Sequence, residues 1–419
     1  MKEKFDIRVD SEIGKLNGVI LHTPGKEVEN MTPGNAERAL YSDILNLSVA
    51  RKEYEQFEKV LKKVTRTFQV RDLLKTILSN EKVKESLIEK IVFYEDIADQ
   101  QDILMSTSPS KLSDALIEGV VMRKDNLTKF LNKERYSLKP LHNFFFTRDA
   151  SVTVSDFILI SNMKNKIRSR ESFIMEAIFD YHPLFSTSTV AAVYEKYDDP
   201  GFSIEGGDIL IIREDIILIG VGARTSSMGV DFIIDQLNKR KKKCEIIVQE
   251  LPLNPESFIH LDMVFTMLDR DKCMVYEPIV IKPNKYQTVH ISLDNGKVDF
   301  IRHEKNILTV LKKLGMNLEP ILCGGSEDLW TQEREQWHSG ANFFAFGEGK
   351  VIGYDRNINT IEALSKKGFE IISASDFLKE DINLDTSNRY VITVDGSELA
   401  RGGGGCRCMT MPIGREKLS

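Results

Sequence analysis

The residues best equipped for chemistry lie near the end of the chain, in Ala400-Arg401-Gly402-Gly403-Gly404-Gly405-Cys406-Arg407-Cys408-Met409-Thr410-Met411-Pro412. Four consecutive glycines place no side chain between the backbone and whatever lies against it, and they open backbone angles closed to other residues. A thiol at the end of such a loop, beside Arg401 and Arg407, is a candidate nucleophile, because neighbouring cations favour the reactive thiolate. A glycine-rich tail with incidental cysteines would carry the same letters.

Acids, bases and anchors are spread through the preceding residues. His260-Leu261-Asp262, read as extended chain, puts a base and a carboxylate on one face. A core histidine satisfied by its neighbour would look alike, and a metal site lacks a second histidine cluster to complete it. Glu205-Gly206-Gly207-Asp208 sets two carboxylates around residues small enough for close approach, as a solvated glycine turn also would. Asn143-Phe144-Phe145-Phe146-Thr147-Arg148-Asp149 interleaves polar and aromatic residues, like the end of a core strand. Arg168-Ser169-Arg170-Glu171 and Gly222-Ala223-Arg224-Thr225 supply arginines able to clamp a carboxylate. Together the set suits a substrate that is cationic at one end and carboxylate at the other. Acids would hold a guanidinium or ammonium, arginines would hold the acid, and the thiol would attack the carbon between the cation's nitrogens.

The elements that must position these groups follow a β-rich α/β pattern. Val19-Ile20-Leu21-His22 reads as a buried strand ending in the turn Thr23-Pro24-Gly25. From Asn35 the periodicity turns helical, through Leu40, Ile44 and Leu47 to Tyr54, Phe57 and Val60. Residues 70–136 carry helical spacing with Pro109 alone as a breaker, so an all-helical insertion is expected there, within a catalytic body of residues 1–69 and 137–419. Strands are expected at Ala150–Ile160, Ile209–Val221, Cys244–Gln249, Met274–Val280, Lys350–Tyr354 and Tyr390–Thr393. Helices are expected at Ser172–Tyr181, Met228–Lys239 and Lys305–Leu314. The polar clusters recur at near-regular intervals, around 149, 205, 262, Gln336-Trp337 and 408, which suggests a pseudo-symmetric repeat whose units converge on an axis.

Composition narrows the class. A chain of 419 residues with 42% hydrophobic and 29% charged residues is an ordinary globular protein, long enough for more than one domain. A net charge of −6 argues against a nucleic-acid partner, and Lys239–Lys243 reads as a basic run solvating a helix end. No segment reaches the length of a membrane span, and Met1–Asp6 lacks the apolar core of a secretory leader. Five cysteines, an odd number without disulfide or zinc spacing, point to a reduced, cytoplasmic protein.

Gly18–Asn35, Asn143–Asp149, Ile204–Asp208, Gly222–Ser226, His260–Asp271, Glu335–Asn342, Gly353–Asn357 and Cys408–Pro412 carry a resemblance in the right order over nearly the whole chain. With Arg168-x-Arg170-Glu171 leading to Tyr181-His182-Pro183, they resemble bacterial arginine deiminase. The resemblance implies a five-bladed, pseudo-symmetric α/β propeller, the pentein fold, with a helical insertion. It implies that Cys408 is the nucleophile, His260 the general acid/base and Glu205 the acid that partners the histidine. Asp149 and Asp262 would grip the guanidinium. Asn143, Arg168 and Arg224 would anchor the substrate's α-carboxylate, and Phe146 would wall the pocket. L-Arginine would become L-citrulline and ammonia through a covalent thiouronium, with no metal or organic cofactor, in a homo-oligomer.

The chain departs from the family pattern at several positions. Gly403 stands where the loop's second arginine is usual, and Cys406 where proline or glycine is common. Thr23 follows His22 in place of arginine, Ser42 replaces the first of two acids before Asp43, and His338-Ser339 replaces an acidic pair. A pentein hydrolase of another guanidino amino acid, or a non-catalytic arginine-binding paralogue, would carry much of the same sequence.

Overall fold

The computed structural model describes residues 4–31, 43–191, 201–379 and 388–418. One plan recurs through it: an antiparallel hairpin, a helix, and a strand returning parallel to the hairpin's second strand. Ser151–Val154 and Phe157–Ile160 form such a hairpin, followed by the helix Ser169–Tyr181 and the strand Ser188–Ala191. Ile209–Arg213, Ile216–Val221, the helix Ser227–Lys239 and Cys244–Glu250 repeat it. So do Phe265–Asp269, Lys272–Val275, the helix Ile307–Lys313 and Glu319–Leu322. A fourth copy comprises Phe344–Gly347, Lys350–Tyr354, the helix Ile358–Lys366 and Tyr390–Val394. The fifth is split between the two ends of the chain. Met411–Arg415 pairs antiparallel with Leu16–Leu21, and Arg66–Gln69 lies parallel to Leu16–Leu21 after the helix Leu47–Val64.

Neighbouring units touch in sequence. Met411–Arg415 meets Ser151–Val154, and the turn Gly206–Asp208 meets both Thr147–Ala150 and Leu261–Met263. Phe265–Asp269 meets Phe344–Gly347, and the helix Leu47–Val64 meets Tyr390–Val394. This is the five-unit α/β architecture of the pentein fold.

Continuous β-branched runs account for the strands. Ile209–Arg213 and Ile216–Val221 are covered on both faces and therefore lack polar alternation. Their side chains still alternate between two cores: Leu210, Ile212 and Leu218 enter one hydrophobic cluster, Ile209, Ile211 and Ile219 another. Helix starts are set by side-chain caps. Asn46 accepts from the backbone of Ser48 and Val49, and Ser226 from that of Gly229.

Residues 70–131 form the helices Val70–Ile77, Glu81–Glu95, Gln101–Ser106, Pro109–Glu118 and Leu127–Leu131, and Val120–Val121 pairs with Tyr136–Leu138. Leu74, Ile77, Leu87, Ile88 and Ile91 share one cluster with Phe173, Ile174 and Ile178 of the helix Ser169–Tyr181. The helical segment is thus cemented to the helix of the unit 151–191. Among the described residues no helix is long and apolar enough to cross a membrane.

Some expectations change in detail. The runs 150–160 and 209–221 are each a hairpin, turned at Ser155 with φ 54° in the first. Residues 277–280 are a helical turn rather than strand. The hairpin Thr288–Asp294/Lys297–Glu304, which the sequence reading did not anticipate, joins the sheet of the preceding unit and widens it to five strands. The helical periodicity read from Asn35 to Leu40, and Ser42, lie outside the described residues; the helix seen here begins at Leu47.

Candidate active site

The candidate residues share one position in the repeat. Asp149 precedes the first hairpin strand of its unit, as do Glu205 and Asp208, His260 and Asp262, Asn342, and Cys408. All are buried. The recurrence of polar clusters in the sequence is therefore the recurrence of one turn, repeated around a common middle. Small residues let these turns converge. A methyl group at Gly207 would stand 2.5 Å from the His260 ring, and one at Gly206 would stand 2.1 Å from the Arg148 carbonyl.

His260 lies between two carboxylates. Its Nε2 is 3.0 Å from Glu205 Oε2, and its Nδ1 is 3.6 Å from Asp149 Oδ1. Cys408 Sγ is 3.7 Å from Asp262 Oδ2 and 3.9 Å from Oδ1. Asn342 fixes the backbone at Cys408, because its Oδ1 accepts the N–H of both Arg407 (2.9 Å) and Cys408 (3.1 Å). Its Nδ2 donates to the Asp262 carbonyl. His260 and Asp262 do not share a strand face: His260 is extended, but Leu261–Met263 is a single 3₁₀ turn. The turn still directs both toward the middle.

Each of the two substrate-gripping candidates is half occupied. Asp149 Oδ2 takes a 2.8 Å bond from Arg168 Nη1, and Asp262 Oδ2 takes one of 2.8 Å from Arg407 Nη1. Asp149 Oδ1 is buried without a hydrogen-bond partner, and Asp262 Oδ1 meets the Cys408 thiol at 3.9 Å. Two carboxylate oxygens thus stand ready for a cationic donor beside a thiol and an imidazole.

Electrostatics follow from this burial. Burial disfavours the charged imidazole, yet Asp149 and Glu205 outweigh it and hold His260 up to about 9. Burial also opposes the Glu205 carboxylate, but the His260 bond and the charge of Arg224 bring it to about 2. Burial pushes Asp208 up to about 7. The Cys408 thiol is raised well above its ordinary value by burial, then by Asp262 and Asp149. This corrects the expectation that flanking arginines promote the thiolate. Arg401 turns outward to Asp43 and Glu398, and Arg407 is engaged by Glu12 and Asp262. Asp149, Glu205 and His260 hold one ligand atom each within 4.8 Å of one another, but Arg168 already places a cation against Asp149.

The remaining candidates divide between the site and its entrance. Arg168 is bound by Asp149 and by both oxygens of Glu171, so it braces the site. The Asn143 carbonyl faces Arg168 Nη2 at 3.5 Å. Arg224 lies 3.8 Å from Glu205, its Nη1 has no hydrogen-bond partner, and it lines a cavity of about 40 Å³ with Glu256, Ser257, Ile259, Trp337, Ala400, Gly402 and Gly403. That space holds little more than one water. The glycine loop fills the rest. Gly404 packs on Phe146, where a methyl group would stand 2.5 Å from the ring, and Gly405 packs on Asn342. The Tyr354 hydroxyl donates to the Gly404 carbonyl at 3.1 Å. Gly403 has φ 85° with nothing within 4 Å of a would-be Cβ, so a side chain there would find room at the cost of backbone strain. All five cysteines are unpaired and buried, Cys406 included.

Sequence reasoning missed Glu12, Arg407 as the partner of Asp262, and Asn342. In the fourth unit it chose Gln336, which braces the Ser257 and Met263 carbonyls. The signal available for Asn342 was its place just before a strand, as with Asp149.

A family model described as arginine deiminase matches residues 37–415. An arginine deiminase of Bacillus cereus strain B4264 is 34% identical, with 99% of this chain and all of the relative covered. One of Oenococcus oeni is 31% identical, with 100% of this chain and 99% of the relative covered. Among solved structures, the amidinotransferase SxtG of Microseira wollei matches with a TM-score of 0.56 at 13% identity, over 99% of this chain and 98% of that one. The product-bound N-terminal domain of ArgZ, a cyanobacterial arginine dihydrolase, matches with a TM-score of 0.53 at 13% identity, over 96% and 99%. These two bear on the fold alone.

Proposed function

The chain belongs to the arginine deiminase family, and from that premise we propose how its residues hydrolyse L-arginine to L-citrulline and ammonia. The observation that carries the reading is the pair of half-occupied carboxylates. The guanidinium lies between Asp149 Oδ1 and Asp262 Oδ1, which fixes its plane so that its carbon faces Cys408. The empty site keeps the thiol protonated; the arriving cation offsets the two carboxylates, and the thiol ionises as substrate binds. The thiolate adds to the guanidinium carbon. His260, protonated between Asp149 and Glu205, gives its proton to the departing ammonia and leaves a thiouronium on Cys408. The now neutral imidazole takes a proton from water, the resulting hydroxide attacks the same carbon, and citrulline leaves with return of the thiol.

Arg224, at the entrance and 3.8 Å from Glu205, holds the α-carboxylate together with Asn143. Arg168 acts through Asp149 while that pair holds and reaches the carboxylate once substrate displaces it. Phe146 walls the aliphatic chain beneath the glycine loop. The reading divides the chain into a catalytic body of residues 1–69 and 137–419 and a helical insertion of residues 70–136, supported by the unbroken ββαβ plan on either side. It places the protein in the cytoplasm, as five unpaired thiols suit, and as a homo-oligomer.

The test is citrulline and ammonia formation from L-arginine, with agmatine and canavanine in parallel. Stoichiometric citrulline from arginine, with agmatine inert for want of a carboxylate, is the expected outcome. Arginine binding without ammonia release would favour a binding paralogue, and activity on a relative alone would move the substrate assignment.

A further inference from the structure

Beneath Cys408 lie three buried arginines, Arg148, Arg407 and Arg415, and one carboxylate whose charge acts on all of them, Glu12. Glu12 stands 395 positions from Arg407 in the chain, ahead of the first strand. Arg407 spans two carboxylates: its Nε and Nη2 donate to Glu12 at 3.0 Å each, and its Nη1 donates to Asp262 Oδ2 at 2.8 Å. Nη2 also donates to the Ile209 carbonyl at 2.8 Å. Asp262 therefore shares its cation with Glu12, while its other oxygen faces the thiol.

A packing role alone would be met by an uncharged side chain. The geometry points to a charge role. We propose that Glu12 is a positioning residue for the deimination, neutralising Arg407 from behind so that Asp262 keeps its negative charge for the substrate's guanidinium. The proposal rests on the reading of function above. Without the Glu12 charge, Arg407 would draw on Asp262 alone, and the centre would become more positive. A cationic substrate would bind less tightly. The Cys408 thiol, faced by Asp262, Asp149 and Arg407 with His260 beyond Asp149, would ionise more readily. The two effects have opposite consequences for binding and for thiol reactivity, which simple misplacement would not produce.

Glu12→Gln tests this in the full chain. KM for arginine is expected to rise by roughly tenfold or more, while the apparent pKa of Cys408 alkylation by iodoacetamide falls by about one unit. Peptide mass spectrometry assigns the alkylation to Cys408. The double variant Glu12→Gln/Arg407→Gln removes one charge of each sign and is expected to bring KM back to within about threefold of the parent. Glu12→Asp, which keeps the charge, should do the same. An unchanged KM in a folded Glu12→Gln, or a double variant worse than Glu12→Gln, overturns the proposal. If Glu12→Gln fails to fold, the double variant decides on the same KM criterion. If only Glu12→Asp folds, Glu12 is structural and the proposal fails. Should the parent release no ammonia from arginine, the functional reading falls, while the alkylation comparison still decides the charge role.

Discussion

The middle of the molecule and its helical insertion are both buried, but with opposite materials. In the middle, Glu12, Asp149, Arg168, Glu171, Glu205, His260, Asp262 and Arg407 are packed out of water, each against an opposite charge. In the insertion the buried surface is mainly Leu, Ile and Val, and the surplus apolar residues face solvent: Phe93 is 79% exposed, Leu127 72% and Phe130 68%. Burying ions costs desolvation that their mutual attraction offsets only in part, whereas burying aliphatic side chains stabilises directly. The insertion and the sheets therefore carry stability, and the middle spends some of it on preorganised charge.

Substitutions should separate these roles. The largest effect is expected at the proposed nucleophile. Cys408→Ser should lower turnover by at least about 10⁴-fold while arginine still binds by calorimetry; a thermal shift as large as that of an insertion variant would erase the contrast. In the insertion, Ile88→Ala should cost about 2–5 kcal/mol of unfolding free energy and leave kcat/KM unchanged at low temperature, as denaturant titration and steady-state assay would show. A loss of kcat/KM in that folded variant would tie the insertion to the chemistry.

Proton linkage sharpens the comparison further. His260 is raised, so its stabilising contribution is whole below the ordinary histidine pKa and is lost as pH rises through about 9; kcat/KM should decline over the same alkaline window. Glu205 is lowered, so its contribution is present above the ordinary carboxylate range and is lost as pH falls toward about 2. A pH–rate profile measured beside melting temperatures would reveal both; an alkaline limb near the unperturbed histidine value would contradict the cage of acids around His260. The smallest effect on turnover is expected at Cys406. Cys406→Ser buries a hydroxyl in an apolar cluster and should cost about 1–3 kcal/mol of stability, yet retain most activity. Loss equal to that of Cys408→Ser would reassign the nucleophile.

Much of this arrangement was legible in the sequence for a physical reason. Four of the five units end their loop with a short polar turn and begin their first strand with a β-branched or aromatic run, as in Asp149 before Val152 or Asp262 before Phe265. Repetition of that transition exposed the pseudo-symmetry. Residues that act through long-range ion pairs left no such mark. Glu12 reads as one acid among many until Arg407 is brought to it from the other end of the chain. The partners of Arg168, Asp149 and Glu171, were likewise hidden, because local spacing shows a charge but not what holds it. The hairpin 288–304 escaped because its solvent-facing strand, Lys297–Glu304, is half charged, and its apolar residues do not mark a buried face.

The pairing of Leu16–Leu21 with Met411–Arg415 places the first and last strands of the chain in one sheet, and Cys408 stands immediately before the latter. The sheet therefore ties the loop that carries Cys408 to a segment from the opposite part of the chain, and the loop is seated only when both segments are in place.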